Sequence, residues 1–178
     1  MSKVLVTYHS GTGCTAGVAD RIGATLAANG MRVDVAPMDS DPDPRPYDAV
    51  VAGSGVRAGG WHPRARKWMS RNAAAVKGKP LAFFTVGIAL AAGPEKAEEV
   101  RGYTDKMIEK TGVQPLAVGA FAGWYVPAKF SFVERRIMEV TKAPEGDHRD
   151  WKAIEAWASG LAPKLEALDD ALQAGEPR

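Results

Sequence analysis

Short apolar runs alternate with longer amphipathic stretches along most of the chain. Most of the runs are apolar at consecutive positions, which is typical of strands buried on both faces of a sheet, whereas 31–36 alternates between apolar and polar residues. The longer stretches repeat apolar residues every three or four positions, which is typical of helices. The predicted strands are 4–8, 31–36, 48–54, 80–86 and 114–121, and the predicted helices are 13–28, 64–76, 94–111 and 147–168.

This alternation predicts an α/β three-layer sandwich with a five-stranded parallel sheet. Right-handed crossovers favour the strand order 2-1-3-4-5, in which ligands bind beside the first and third strands, at their carboxyl ends. Small-residue loops at 9–15, 54–62 and 86–93 follow the first, third and fourth strands. We therefore expect these three loops to meet at one crevice.

One segment, 122–146, is too long for an ordinary connection between the fifth strand and the last helix. It contains Trp124, Tyr125 and Phe130, and its stretch 132–142 predicts an amphipathic helix with basic residues opposite the apolar ones. We treat 122–146 as an insert in a single domain spanning 1–170. Residues 171–178 are predicted to be a frayed tail.

Composition excludes several classes of protein. The chain has 178 residues, a formal net charge of +2 and one cysteine, so that no internal disulfide forms. With only three histidines, we expect no dedicated metal site. No apolar run is long enough to span a bilayer, and the amino terminus does not resemble a signal peptide. We expect a cytoplasmic protein with no nucleic-acid partner.

The positive charge is concentrated in one part of the chain. No acidic residue occurs between Asp48 and Glu95. The same interval contains seven basic residues: Arg57, Arg64, Arg66, Lys67, Arg71, Lys77 and Lys79. Such a basic face attracts a phosphorylated ligand, anionic lipid or a carboxylated substrate, although a solvated helix face has the same pattern.

The loop 10–15, with sequence SGTGCT, joins the first strand to the first helix. Small side chains, three hydroxyls and a helix amino terminus together favour binding of a phosphate group. A Walker loop is excluded because no lysine follows, and a cysteine phosphatase is disfavoured because Asp20 stands where its arginine belongs. A dinucleotide fingerprint stays open, since Gly11, Gly13 and Ala16 fit it and Asp34 stands near the end of the second strand.

The run SGTGCT resembles the phosphate loop S/T-x-T-G-x-T of the flavodoxin family. Within that family the chain resembles the flavodoxin-like protoporphyrinogen IX dehydrogenases that use menaquinone. The similarity rests on residues 53–57, on Trp61 with His62, on the helix start at 94–96, and on the insert preceding Asp150.

The resemblance implies FMN as the cofactor. Its phosphate would be held by Ser10, Gly11, Thr12, Gly13, Cys14 and Thr15. One side of its ring would contact Ser54, Gly55, Val56, Arg57 and Trp61. The other side would contact Thr85, Val86, Gly87, Ile88 and Ala89.

The resemblance also implies an FMN-dependent oxidoreductase of haem biosynthesis that oxidises protoporphyrinogen IX with a quinone as acceptor. In the insert, Trp124, Tyr125, Phe130, Arg135 and Arg136 would contact the substrate or the inner face of a membrane. A homodimer contact or cover for a sheet edge are alternative roles for the insert. Two further alternatives are a non-enzymatic flavodoxin-type electron carrier and an NAD(P)-binding dehydrogenase-like domain.

Overall fold

The computed structural model describes residues 2–57, 59–140 and 142–173. Its main sheet has five parallel strands in the order β2-β1-β3-β4-β5, as predicted. The central position of β1 is clear from Val6, which pairs with Val35 on one side and Val51 on the other. The strands are β1 (Lys3–His9), β2 (Arg32–Pro37), β3 (Ala49–Gly55), β4 (Leu81–Gly87) and β5 (Ala117–Ala122).

Helices cover both faces of the sheet. The five helices found within the described residues are α1 (Cys14–Ala28), α2 (Pro63–Val76), α3 (Ala97–Thr111), α4 (Phe132–Val140) and α5 (Trp151–Gln173). Helices α1 and α5 pack on one face, where Ile22 and Leu161 are fully buried. Helices α2 and α3 cover the other face, where Trp68 and Met107 are buried. The three-layer prediction is therefore confirmed.

A short antiparallel ribbon joins the two ends of the insert. Strand β6 (Trp124–Tyr125) pairs with β7 (Gly146–Asp147), so that the segment between them leaves the sandwich and returns to the same place. The ribbon corrects the predicted start of the last helix at residue 147. Helix α5 starts at Trp151 because the carboxylate of Asp150 accepts a hydrogen bond from the N–H of Ala153 and caps the helix.

Other element boundaries differ from the predictions by a few residues. Strand β5 begins at Ala117 rather than at 114, and α4 ends at Val140 rather than at 142. Lys142 has a φ of 53°, which is incompatible with continuing the helix. Helix α5 continues to Gln173, so 171–173 of the predicted tail are helical, whereas 174–178 lie outside the described residues.

Candidate functional site

Two hydroxyl groups of the loop between β1 and α1 accept hydrogen bonds from other groups of the protein. Ser10 Oγ accepts a hydrogen bond from the N–H of Gly13 at 3.1 Å. Thr12 Oγ1 accepts one from Nε1 of Trp124 at 3.1 Å. Since a hydroxyl has one proton to donate, both side chains keep theirs for an acceptor outside these contacts. The loop is therefore organised as a set of donors.

The amino terminus of α1 adds further donors to this loop. Gly13 has a φ of 89°, a conformation that glycine adopts without strain, and it precedes the helix without a capping side chain from the described residues. The first turn of α1 has no acidic residue. Its N–H groups and the helix dipole consequently favour an anion, and a Cβ on Gly11 would meet no described atom within 4 Å.

The loops after β3 and β4 lie beside the phosphate loop, as the convergence argument predicts. A Cβ on Gly55 would lie 3.1 Å from Thr15 Oγ1, and one on Gly87 would lie 3.2 Å from Cγ2 of Val56. The N–H of Val56 donates to the carbonyl oxygen of Val86 at 3.0 Å. All three loops therefore meet at the carboxyl-end edge of the sheet.

Two hydroxyls that were expected beside a cofactor ring are buried and occupied. Ser54 Oγ donates to the carbonyl of Gly55 and accepts from the N–H of His62. Thr85 Oγ1 accepts from Nε1 of Trp61 at 2.7 Å and lies 2.7 Å from Thr104 Oγ1. Both residues are fully buried, so these side chains stabilise the protein beneath the crevice rather than line its opening.

Trp61 belongs to the core rather than to an open surface. Its side chain is 1% exposed and packs edge-on against Phe83 with the ring centroids 5.2 Å apart. Ile88 and Ala89 are half-buried in a short 3-10 helix at 88–92 that follows β4. Contact of Trp61, Ile88 or Ala89 with a cofactor ring stays a prediction.

Cys14 is buried, whereas the side chain of Arg57 is exposed. Cys14 is 7% exposed, and burial raises the pKa of its thiol, so the sulfur is protonated near neutral pH. Arg57 extends from the loop after β3, and its guanidinium lies 3.2 Å from a carboxylate oxygen of Glu134. This ion pair connects the crevice to α4 of the insert.

The aromatic residues of the insert divide into two groups. Trp124 lies against the phosphate loop, 3.7 Å from a Cβ built on Gly13. Tyr125 is only 4% exposed and packs edge-on against Phe130 at 5.3 Å. Tyr125 therefore stabilises the insert from inside, whereas contact with a membrane requires an exposed side chain.

Helix α4 presents its apolar residues to solvent. Phe132, Val133, Ile137 and Val140 are 70%, 67%, 54% and 82% exposed. At 3.6 residues per turn, Arg136 lies between Phe132 and Val140 on the face opposite the half-buried Glu134. This corrects the prediction that Arg136 lies opposite the apolar residues, while Arg135 lies at the edge of the apolar arc.

Arg149 is a residue that sequence reasoning missed. Its guanidinium lies 4.3 Å from the ring centre of Trp124 and 4.4 Å from that of Trp151. Its Nε donates to Asp147 at 2.8 Å, and these hydrogen bonds lower the pKa of that carboxylate. Its side chain is 10% exposed. Arg149 thereby holds Trp124 against the phosphate loop. The signal for Arg149 in the sequence was the D-x-R spacing of Asp147 and Arg149, just before Trp151.

Two stacked histidines lie next to the phosphate loop. The rings of His9 and His62 are 3.8 Å apart with an interplanar angle of 21°. Nδ1 of His9 lies 3.1 Å from Asp39, while Nε2 has no hydrogen-bond partner in the part of the chain that the structure describes. Burial lowers the pKa of His62 to about 4 and also lowers that of His9. Both rings are therefore neutral at pH 7.

The position of Asp34 argues against the dinucleotide alternative. Asp34 is the third residue of β2, opposite Leu5, rather than the last. Its carboxylate pairs with Lys3, at the start of β1, and accepts a hydrogen bond from Tyr47. It is therefore directed away from the phosphate loop and is not placed to bind a ribose there.

The described residues contain neither a metal-binding cluster nor a membrane-spanning helix. No group of three or more His, Cys, Asp or Glu side chains there could hold a metal ion. Similarly, no helix within those residues is both long and apolar enough to cross a bilayer.

The fold and the phosphate loop define a class of protein. The chain belongs to the flavodoxin domain family, whose model matches residues 5–152. A protoporphyrinogen IX dehydrogenase [quinone] of Escherichia coli K12 is 20% identical over 171 residues, covering 90% of this chain and 94% of that protein. A protein of the same name from Leishmania major is 25% identical over 174 residues, covering 90% and 74%.

Solved flavodoxin structures have the same fold. Flavodoxin 2 from Bacillus cereus is 21% identical with a TM-score of 0.62, covering 92% of this chain and 99% of that one. A flavodoxin from the domain Archaea is 16% identical with a TM-score of 0.61 over the same shares. These similarities support the fold that the strand order shows.

Proposed function

We propose that the protein is an FMN-dependent oxidoreductase that oxidises protoporphyrinogen IX or a similar porphyrinogen and reduces a quinone. The observation that carries the cofactor assignment is the donor arrangement of the phosphate loop. Ser10 and Thr12 accept hydrogen bonds from within the protein and so donate outward, beside the uncapped start of α1. A terminal phosphate, as in FMN, needs several such donors together.

Bound FMN would supply the two-electron redox chemistry of its flavin ring. The residues of the chain bind and orient it. The loop 10–15 fits the phosphate. Gly55 has no side chain at the point where a Cβ would lie 3.1 Å from Thr15 Oγ1, so the edge of the crevice stays open there. The buried bonds among Trp61, Thr85 and Thr104 hold the end of β4 rigid beneath the crevice.

The substrate assignment is supported by the two relatives named protoporphyrinogen IX dehydrogenase [quinone]. Each two-electron oxidation of the macrocycle would convert one quinone to the quinol, so that hydrogen and electrons balance. The slightly basic chain suits a substrate with carboxylates, whereas an electron carrier that docks on basic partners benefits from acidic charge.

Comparison of FMN with riboflavin tests the cofactor assignment, because riboflavin lacks the phosphate. We expect FMN to bind more tightly to the native chain, and the variant Ser10→Ala with Thr12→Val to lose most of that preference. Thr25→Val, a matched change elsewhere in α1, should keep it. Equal affinity of the native chain for both flavins would refute the phosphate site.

Anaerobic turnover tests the enzyme assignment. Protoporphyrinogen IX and menaquinone are mixed with the FMN-loaded protein, and the fluorescence of protoporphyrin is followed against a protein-free control. We expect porphyrin and quinol to form together. An FMN-loaded protein that forms no porphyrin, but exchanges single electrons in a redox titration, is instead a flavodoxin-type carrier, which the solved relatives suggest as the alternative.

We also propose that α4 rests on the surface of an anionic membrane, where lipid-soluble quinones are found. Phe132, Val133 and Val140 face outward, and Arg136 lies among them at the surface, where it pairs with Glu139 at 2.8 Å. Arg135 and Lys129 on the same insert add positive charge. An exposed apolar face with basic residues around it is complementary to anionic lipid.

Vesicle flotation tests this contact. We expect binding to anionic vesicles but weak binding to neutral ones, and loss of binding in the variant Phe132→Ser with Val140→Ser. Leu116→Ser removes an exposed apolar side chain outside the insert and should leave binding intact. Failure to float, with a dimer in sedimentation that the same serine variant dissociates, would show that α4 contacts a second copy instead.

A further inference from the structure

A groove lined by positive charge runs between α2 and α3, on the face of the sheet away from α1 and α5. Its volume is about 410 Å³, within the range of small-molecule sites, and it continues into a second, shallow and open depression. Arg66 and Lys110 line both parts. The groove begins at Arg57, in the loop that borders the crevice.

Each helix contributes one regular face to this groove. From α3 come Tyr103, Lys106, Met107 and Lys110, and from α2 come Pro63, Arg66, Lys67 and Ser70. Both sets have the spacing i, i+3, i+4, i+7, which places their members on one side of a helix. The basic residues of both sets are exposed, so they flank the buried layer that Trp68, Met69 and Met107 form beneath them.

Only some of the charges in the groove are paired with carboxylates of the described residues. Arg57 pairs with Glu134, and Arg71 pairs with Asp41. By contrast, Arg66, Lys106 and Lys110 have no carboxylate within ion-pair distance among the residues that the structure describes. Like charges on facing helices repel one another, so the arrangement costs stability unless an anion binds.

The wall of the groove is apolar and aromatic between these charges. The edges of the buried Trp61 and Met107 form its floor, the half-buried Tyr103 stands beside them, and Arg66 and Lys110 stand on opposite helices. A ligand that suits this surface has a flat apolar body and at least two separated anionic groups. Arginine and lysine on the two sides would each bind one of those groups by charge-assisted hydrogen bonds.

We infer that the groove between α2 and α3 binds the carboxylates of a dicarboxylate-bearing tetrapyrrole. The inference rests on the proposed function, because it assigns a docking place to the substrate of that reaction. Protoporphyrinogen IX has an apolar macrocycle and two propionates, as the groove requires. Binding there brings the macrocycle next to Arg57 and the edge of the cofactor crevice.

Binding of the stable product tests the assignment without turnover. The FMN-loaded protein is titrated with protoporphyrin IX and with its dimethyl ester, which keeps the ring but has no charge, and porphyrin absorbance is followed. We expect the variant Arg66→Gln with Lys110→Gln to bind the diacid at least about tenfold more weakly. The ester should bind the native protein and this variant equally.

A matched variant controls for net charge. Lys152→Gln with Lys164→Gln removes the same charge from exposed positions of α5, on the other side of the sheet, and should bind the diacid as the native protein does. Equal loss of affinity in both variants, or none in either, would overturn the groove as the site. Inorganic phosphate that binds the groove and does not compete with the diacid would overturn it as well.

Kinetics separate this inference from the proposed function. In the groove variant we expect the KM for protoporphyrinogen to rise while the KM for quinone stays unchanged. Normal turnover with an unchanged KM for protoporphyrinogen would refute the groove but keep the enzyme assignment. Absence of turnover in the native protein, together with binding of the diacid that depends on Arg66 and Lys110, would refute the enzyme assignment but keep the groove.

Discussion

The indole of Trp124 donates a hydrogen bond to the hydroxyl of Thr12 over a sequence separation of 112 residues. This bond connects the insert to the phosphate loop. It also determines the direction of the Thr12 proton, because an oxygen that accepts from Trp124 is oriented to donate elsewhere. The insert therefore takes part in organising the cofactor site.

Replacing Trp124 by phenylalanine removes the donor but keeps an aromatic ring. We expect the affinity for FMN to fall about fivefold, the effect of losing one ordinary hydrogen bond, because Thr12 loses its fixed orientation. Flavin fluorescence measures the change. Trp157→Phe, the same substitution in α5, should leave the affinity unchanged, and equal losses in the two variants would contradict the role of the bond.

Arg149 should contribute far more to stability than an arginine in a similar local pair on the surface. Its side chain is 10% exposed, between Trp124 and Trp151. Arg149→Met should lower the free energy of unfolding by about 1–3 kcal/mol, since it leaves the two indoles without a cation and the partly exposed Asp147 without its partner. Urea denaturation measures this.

The surface pair of Arg45 and Asp43 provides the control. It has the same spacing of two residues, but the Arg45 side chain is 77% exposed. Arg45→Met should leave the urea denaturation midpoint nearly unchanged, because an exposed ion pair contributes little to stability. Similar costs for Arg45→Met and Arg149→Met would show that the enclosure of Arg149 by aromatic rings adds nothing.

Thr85 accepts the only hydrogen bond described for the buried indole N–H of Trp61. Thr85→Val keeps the shape but leaves that N–H unsatisfied and also removes the hydrogen bond to Thr104, so the free energy of unfolding should fall by about 1–3 kcal/mol. Adding Trp61→Phe removes the orphaned donor. The Trp61→Phe single variant corrects for its own packing change. A double variant with no recovery in a thermodynamic cycle would show that packing or the lost hydrogen bond to Thr104, rather than the bond to Trp61, sets the cost.

The histidine stack predicts a stability that depends on pH. The pKa of His62 is lowered from 6.5 to about 4, so below pH 6.5 the unfolded chain binds a proton that the folded chain does not. Stability should therefore fall as the pH drops from 6.5 towards 4. Because His62 is only half-buried, we expect a loss on the order of 2 kcal/mol, less than the full shift would give.

Chemical denaturation of the native chain and of His62→Gln at pH 7, 5.5 and 4.5 measures this loss. The free energy of unfolding of the variant should depend less steeply on pH. Its carboxylates should contribute the same pH dependence as those of the native chain. Parallel profiles for the two proteins would exclude His62 as the source of the pH dependence.

Much of the fold could be predicted because local patterns repeat across the whole chain. Each buried strand is apolar at successive positions, and this leaves a parallel sheet with few possible strand orders. The phosphate loop was found for a similar reason, since Ser10 to Thr15 must be small and polar wherever the chain places them. The end of α4 and the start of α5 were less predictable, because Lys142 and Asp150 act through backbone geometry and capping.

The side-chain partners within the site could not be predicted in the same way. Trp61 and Thr85 both lie in loops or strand ends that face the crevice, yet their polar atoms bond to each other in the core. Asp34 fits a dinucleotide pattern by its position in the sequence alone. In the sheet it pairs opposite Leu5, which brings its carboxylate to Lys3. Such outcomes depend on which strands and helices become neighbours.

By itself, the sequence determined the alternation of strands and helices, the order of the sheet and the position of the phosphate loop, because these follow from periodicity and from residues adjacent in the chain. Only the tertiary structure decided that Arg149 and Trp124 reach α1, that basic residues of α2 and α3 face one groove, and that α4 presents its apolar side outward. These relationships join positions far apart in sequence. They arise from packing and from the competition for hydrogen-bond partners, which no single segment encodes.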